Sequence, residues 1–122
     1  MNKALLPIFI VLLFTGCKAQ KTERVAFYNV ENLFDTINGP NNDEEFLPEG
    51  NKQWTSQRYN TKISHINEII CALKTPMIIG LCEIENEFVM NDILKRNKKL
   101  KQYSTVHFNS LDARGIDVGM LF

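Results

Sequence analysis

Asn29 and Glu83 are the residues whose types and placement best suit chemistry in this chain. An amide oxygen and a carboxylate are hard donors. Completed by water and substrate oxygens, they suit Mg²⁺, Mn²⁺ or Ca²⁺. Asn29 falls near the end of the first predicted strand and Glu83 just after the second. In α/β sheets, ligands gather outside the carboxyl ends of strands. By spacing alone, these two residue types at strand ends serve more often as turn or capping residues.

Arg114 and Asp117 form a second candidate pair. Arg114 can grip a phosphate through two parallel hydrogen bonds, or stand as an ordinary surface turn arginine. His65 lies off the apolar face of a predicted helix and reads as a surface residue. His107 alternates with Val106 and Phe108 and reads as a structural strand histidine. Cys71 and Cys82 fall in apolar surroundings and read as two buried free thiols. Neither a C-x-x-C nor a Cys/His zinc pattern is present.

The elements that must position these residues alternate between strand and helix. Residues 24–30 (RVAFYNV) alternate in the manner of a strand. Residues 32–53 form a long segment rich in Asn, Asp, Glu, Gly and Pro, with turn signals at Asn38-Gly39-Pro40 and Pro48-Glu49-Gly50. Thr55 can cap the next helix, with Trp54 and Tyr59 placed as a hydrophobic staple. Tyr59, Ile63, Ile66, Ile70 and Leu73 recur at spacings of four, three, four and three, one helical face. Pro76 stops the helix near Lys74. Residues 77–82 (MIIGLC) are a continuous apolar run, expected as a parallel strand buried on both faces. Residues 86–99 read as a helix with Phe88, Ile93 and Leu94 inward. Residues 103–108 and 116–122 read as two further strands around a turn at 109–115. The order β-α-β-α-β-β indicates an α/β fold.

The chain has 122 residues, room for one domain at most, and 14 basic against 14 acidic side chains. Neutral charge argues against a polybasic nucleic-acid binder, though not against an enzyme that meets a phosphate through a metal. The cluster Lys95, Arg96, Lys98, Lys99 and Lys101 has no interleaved aromatic platform and reads as a solvated helix end.

Three motifs, in order, carry a family resemblance. Val25 to Phe34 (VAFYNVENLF) is similar to the first motif of the endonuclease/exonuclease/phosphatase family. Gly80-Leu81-Cys82-Glu83 resembles its second, a buried strand ending in a metal-binding glutamate. Asp112 to Phe122 (DARGIDVGMLF) resembles the next strand as it occurs in secreted bacterial members. Asn42-Asp43-Glu44-Glu45-Phe46 and Pro48-Glu49-Gly50 resemble the same subgroup. The family includes pancreatic-type deoxyribonucleases, abasic-site endonucleases, sphingomyelinases and inositol-phosphate phosphatases.

The resemblance implies Mg²⁺- or Mn²⁺-dependent hydrolysis of a phosphoester, with DNA as the first substrate to consider. It implies that Glu83 binds the metal, that Asn29 orients or ligates at the same site, and that Glu31 supports the metal shell. Arg114 and Asp117 match a subgroup motif and are possible substrate contacts. The implied fold is a four-layer α/β/β/α sandwich, of which residues 24–122 correspond to the N-terminal half. The family's catalytic Asp-x-Asn pair and closing Ser-Asp-His fall after the fourth strand. The chain is therefore expected to be an N-terminal portion that is inactive alone, with its C-terminal half, as a separate chain, a candidate partner. The alternative is a non-catalytic binding lipoprotein built on a half-fold.

Residues 1–16 read as a secretory signal. Lys3 supplies the positive start, and residues 4–14 are almost wholly apolar but too short to span a bilayer. Phe14-Thr15-Gly16-Cys17 resembles a lipobox in which Cys17 is lipidated. Residues 17–23 then form the lipidated cysteine and a polar tether. The expected location is the bacterial envelope, exported and membrane-anchored.

Overall fold

The computed structural model describes residues 22–122. The signal segment 1–16, Cys17 and most of the tether lie outside the described residues.

Among the described residues, four strands and two helices follow the expected order. β1 is Val25–Leu33, α1 is Ser56–Ala72, β2 is Ile78–Ile84, α2 is Glu87–Lys95, β3 is Thr105–Phe108 and β4 is Asp117–Leu121. Two single 3-10 turns, Glu44–Phe46 and Lys98–Leu100, complete the set. The sheet order is β1-β2-β4-β3. β1 and β2 are parallel, joined by the α1 crossover, whereas β4 is antiparallel to both β2 and β3. The architecture is α/β with a mixed sheet.

Both helices lie on one face of that sheet. Ile63, Ile66 and Ile70 of α1 share one core with Met90 and Ile93 of α2 and with Ile79, Leu81 and Leu121 of the strands, all fully buried. Thr55 caps α1 by accepting from the Arg58 N–H, and Asn86 caps α2 by accepting from the Val89 N–H. Gly119 lets α2 approach, because a Cβ there would lie 2.6 Å from the Met90 sulfur.

Among the described residues, no element covers the opposite face. β2 was expected to be buried on both faces, yet its burial alternates and only Ile79, Leu81 and Ile84 are fully buried. Phe27 pairs across Gly80 to Met120 and on to Val106, so these four share the open face. On that face Phe27 is 74% exposed and Phe108 60%. Two helix positions also differ from expectation. Phe88 and Leu73 are exposed rather than inward: Phe88 sits in the first turn of α2, beneath the Lys95 ammonium, and Leu73 lies just past the end of α1.

The long segment after β1 is anchored rather than loose. Phe34 stacks on Phe46 with centroids 4.0 Å apart, and the Trp54 indole N–H donates to the Phe34 carbonyl at 2.9 Å. All three aromatic side chains are buried.

Candidate active site

The carboxyl ends of β1 and β2 meet at a shared irregularity. The register passes from Asn29↔Cys82 to Leu33↔Ile84, so three residues of β1 oppose Glu83 alone. Glu31, Asn32 and Glu83 all take positive φ, at 56°, 59° and 61°. Non-glycine residues held there cost about 1–3 kcal/mol each and cluster at functional sites.

That backbone aims two side chains at each other. The Asn29 amide donates to Glu83 Oε1 at 2.8 Å, and the Asn32 N–H donates to Glu83 Oε2 at 3.1 Å. Asn29 Oδ1 in turn accepts from the Glu31 N–H at 2.8 Å. The Glu31 side chain is exposed, and the residue joins the site through its backbone, whose carbonyl accepts from Lys62 Nζ at 3.2 Å.

Arg114 reaches the same rim. Its guanidinium is forked onto the Asp112 carboxylate at 2.9 and 3.1 Å, and Nη1 lies 3.5 Å from the Asn32 side-chain oxygen. Hydrogen bonds from Arg114 hold the exposed Asp112 carboxyl below its ordinary range. Gly115 makes the turn possible: its φ is +76°, and the Asn41 side chain fills the space a Cβ would need.

Asp117 belongs elsewhere. It is buried, accepts from the Ser110 N–H at 2.7 Å, and faces His107 Nε2 at 2.9 Å. His107 and Asp117 line a cleft of about 430 Å³ together with Asp35, Glu85 and Asp112. Glu85 is 5% exposed and accepts from the Asp35 N–H at 2.6 Å. Burial, reinforced by the charges of Asp35 and Asp43, pushes its carboxyl up to about 7. Asp43 is 2% exposed, and its Oδ1 has no hydrogen-bond partner among the described residues. Sequence reasoning missed this acidic cleft. The available signal was Glu85 two residues beyond Glu83, facing the acidic segment that contains Asp35 and Asp43.

The remaining candidates are peripheral. His65 is exposed on α1, as expected. Cys71 and Cys82 are free and partly rather than fully buried. Burial, with the Glu83 charge, raises the Cys82 thiol. Arg96 in the basic cluster pairs with Asp92 at 2.7 Å on its own helix.

Among the described residues, no three His, Cys, Asp or Glu side chains form a metal-holding group. At the junction of β1 and β2 the Glu83 carboxylate is held through both oxygens, by the Asn29 amide and the Asn32 N–H. That donor set fits a largely hydrated Mg²⁺, which commonly takes only one or two carboxylates with water and substrate oxygens.

Residues 24–122 match the endonuclease/exonuclease/phosphatase family. The chain belongs to that family. No curated protein and no solved structure matches it. Membership in the endonuclease/exonuclease/phosphatase family makes the domain one of a phosphoesterase-type hydrolase, a class that generally uses divalent metals. The three motifs that carried the resemblance lie on β1, β2 and the turn into β4, and two of them meet at Asn29 and Glu83.

Proposed function

We propose that the chain contributes the metal-binding half of a Mg²⁺- or Mn²⁺-dependent phosphodiesterase, with polynucleotide as its first substrate. The observation that carries this reading is the Asn29–Glu83 hydrogen bond at the strand tips of a family member. Glu83 would hold the metal, and Asn29 keeps the carboxylate turned toward it. A bound divalent ion supplies phosphoryl polarisation and leaving-group stabilisation. Arg114, already aligned by Asp112, presents a guanidinium beside the site where a phosphate oxygen would sit.

The bare apolar face supports the finer fold proposal. A second sheet packed on Phe27, Phe108 and Val118 would complete a four-layer α/β/β/α sandwich and bring further catalytic groups to the rim. Alone, the described half is proposed to bind metal without appreciable turnover. The same open face favours a second reading, a non-catalytic lipoprotein that uses it to hold a partner. Export and anchoring through a lipidated Cys17 are proposed from the sequence of the first residues.

Mn²⁺ titration followed by water-proton relaxation tests the site directly. Binding should be lost in Glu83→Ala, and Mg²⁺-dependent phosphodiester hydrolysis should appear only when the complementing half is supplied. Metal binding indifferent to Glu83 would overturn the assignment.

A further inference from the structure

Acidic and basic side chains fall in separate hollows. The acidic cleft is lined by Asp35, Glu85, Asp112 and Asp117. A second groove, of about 500 Å³, is lined by Trp54, Gln57, Arg58, Thr61, Lys62 and His65. None of these six is acidic. Among the described residues, Arg58, Lys62 and His65 make no ion pair with a carboxylate. Arg58 donates instead to the Lys52 and Gln53 carbonyls and lies 5.4 Å from the Trp54 ring centroid.

Helix stability does not account for Arg58. The first turn of α1 contains Arg58 and no acidic residue. Positive charge there opposes the helix dipole, which favours anions at that end. The groove also connects to the candidate site by contact. Lys62 Nζ bonds the Glu31 carbonyl, the Glu31 N–H bonds Asn29, and Asn29 bonds Glu83.

We propose that this groove is an anion subsite for a neighbouring phosphate of a single-stranded nucleic acid whose scissile phosphate lies at Glu83; the assignment rests on the phosphoesterase reading of that site. A strand with a phosphate at each nucleotide would follow the basic side and be turned from the acidic cleft by like charge. A substrate with a single phosphate would have no use for the groove. Specificity for extended substrates would then come from Arg58 and Lys62, outside the family's motifs quoted above.

The test is fluorescence anisotropy of a labelled single-stranded oligonucleotide of about 12 nucleotides with the full chain in EDTA. Titrations run from about 50 to about 200 mM salt. Arg58→Gln/Lys62→Gln should weaken binding about tenfold or more and reduce the log–log salt slope by about 1.4, the value for two lost contacts to a single strand. Lys62→Arg should retain binding, which separates lost charge from a folding defect. Undiminished binding by the double variant, or no binding by the wild-type chain, overturns the proposal. EDTA keeps this measurement independent of the metal site, whose own failure would appear as Mn²⁺ binding unchanged by Glu83→Ala.

Discussion

Asn29 and Glu83, 54 residues apart in the chain, are joined by a 2.8 Å hydrogen bond across neighbouring parallel strands. The bond depends on backbone geometry as much as on side chains. Three positive-φ residues concentrate at this one point of the β1–β2 pairing, and they turn the Glu83 carboxylate toward both Asn29 and the Asn32 N–H. A strained junction that fixes one carboxylate is better suited to a pre-set ligand than to a strand terminus needed only for packing.

Replacing Asn29 therefore should act on the metal before it acts on the fold. Asn29→Ala removes the donor that orients Glu83, and loss of such a supporting group typically costs about 10–100-fold in metal affinity. The side chain is exposed, so unfolding free energy should fall by only about 1 kcal/mol. Paired Mn²⁺ titration and urea denaturation measure the two effects. A large stability loss with unchanged Mn²⁺ affinity would make Asn29 a structural cap and nothing more.

Much of this arrangement was legible in the sequence because it rests on local rules. The period of α1, the Thr55 cap and the strand alternation of residues 24–30 each appear in the structure. Placing Asn29 and Glu83 at adjacent strand ends then followed from the α/β order. What sequence could not show was the bulge, because a shift of register flips side chains between faces without any change in composition. Beyond it, Glu85, one residue past the end of β2, is buried next to Ile84. Asp117 was paired with Arg114 by motif, yet the turn at Gly115 sends Arg114 to Asn32 and Asp117 to His107.

Glu85 gives the chain a pH-dependent stability of definite sign. Its ordinary value is 4.5, and in the fold burial raises it to about 7. Between those values the folded chain holds a proton that the unfolded chain has released, so stability falls as pH rises. The contribution is complete below about pH 4.5, gone above about pH 7, and worth on the order of 3 kcal/mol. Glu85→Gln can still accept from the Asp35 N–H and should flatten the slope. Urea unfolding of both proteins at about pH 5 and about pH 8 is the measurement. Identical pH dependence in the two would remove Glu85 as the cause.

The Trp54 indole ties the end of the long segment to its beginning. Trp54→Phe deletes the bond to the Phe34 carbonyl and leaves unfilled volume beside the Phe34–Phe46 stack. The expected loss is about 2–3 kcal/mol, combining one hydrogen bond with a partial cavity. The exposed His65 on the same groove provides the control, with His65→Ala within about 0.5 kcal/mol of wild type. Chemical denaturation distinguishes them. Equal, small losses would mean that the segment is not held by this contact.

Phe27 and Phe108 decide what the open sheet face is for. They are 74% and 60% exposed on β1 and β3, at opposite edges of the sheet. Side chains so exposed contribute little to the stability of the fold, so Phe27→Lys/Phe108→Lys should lower unfolding free energy by less than about 1 kcal/mol. The same variant should bind less of a hydrophobic dye and self-associate less at high concentration, because the apolar patch has been interrupted by charge. If the face receives a second sheet, the variant should also lose the ability to be complemented by that half, while its Mn²⁺ binding through Glu83 persists. Loss of Mn²⁺ binding would tie the face to the metal site itself. Full complementation despite two lysines would show that a second sheet does not pack on this face.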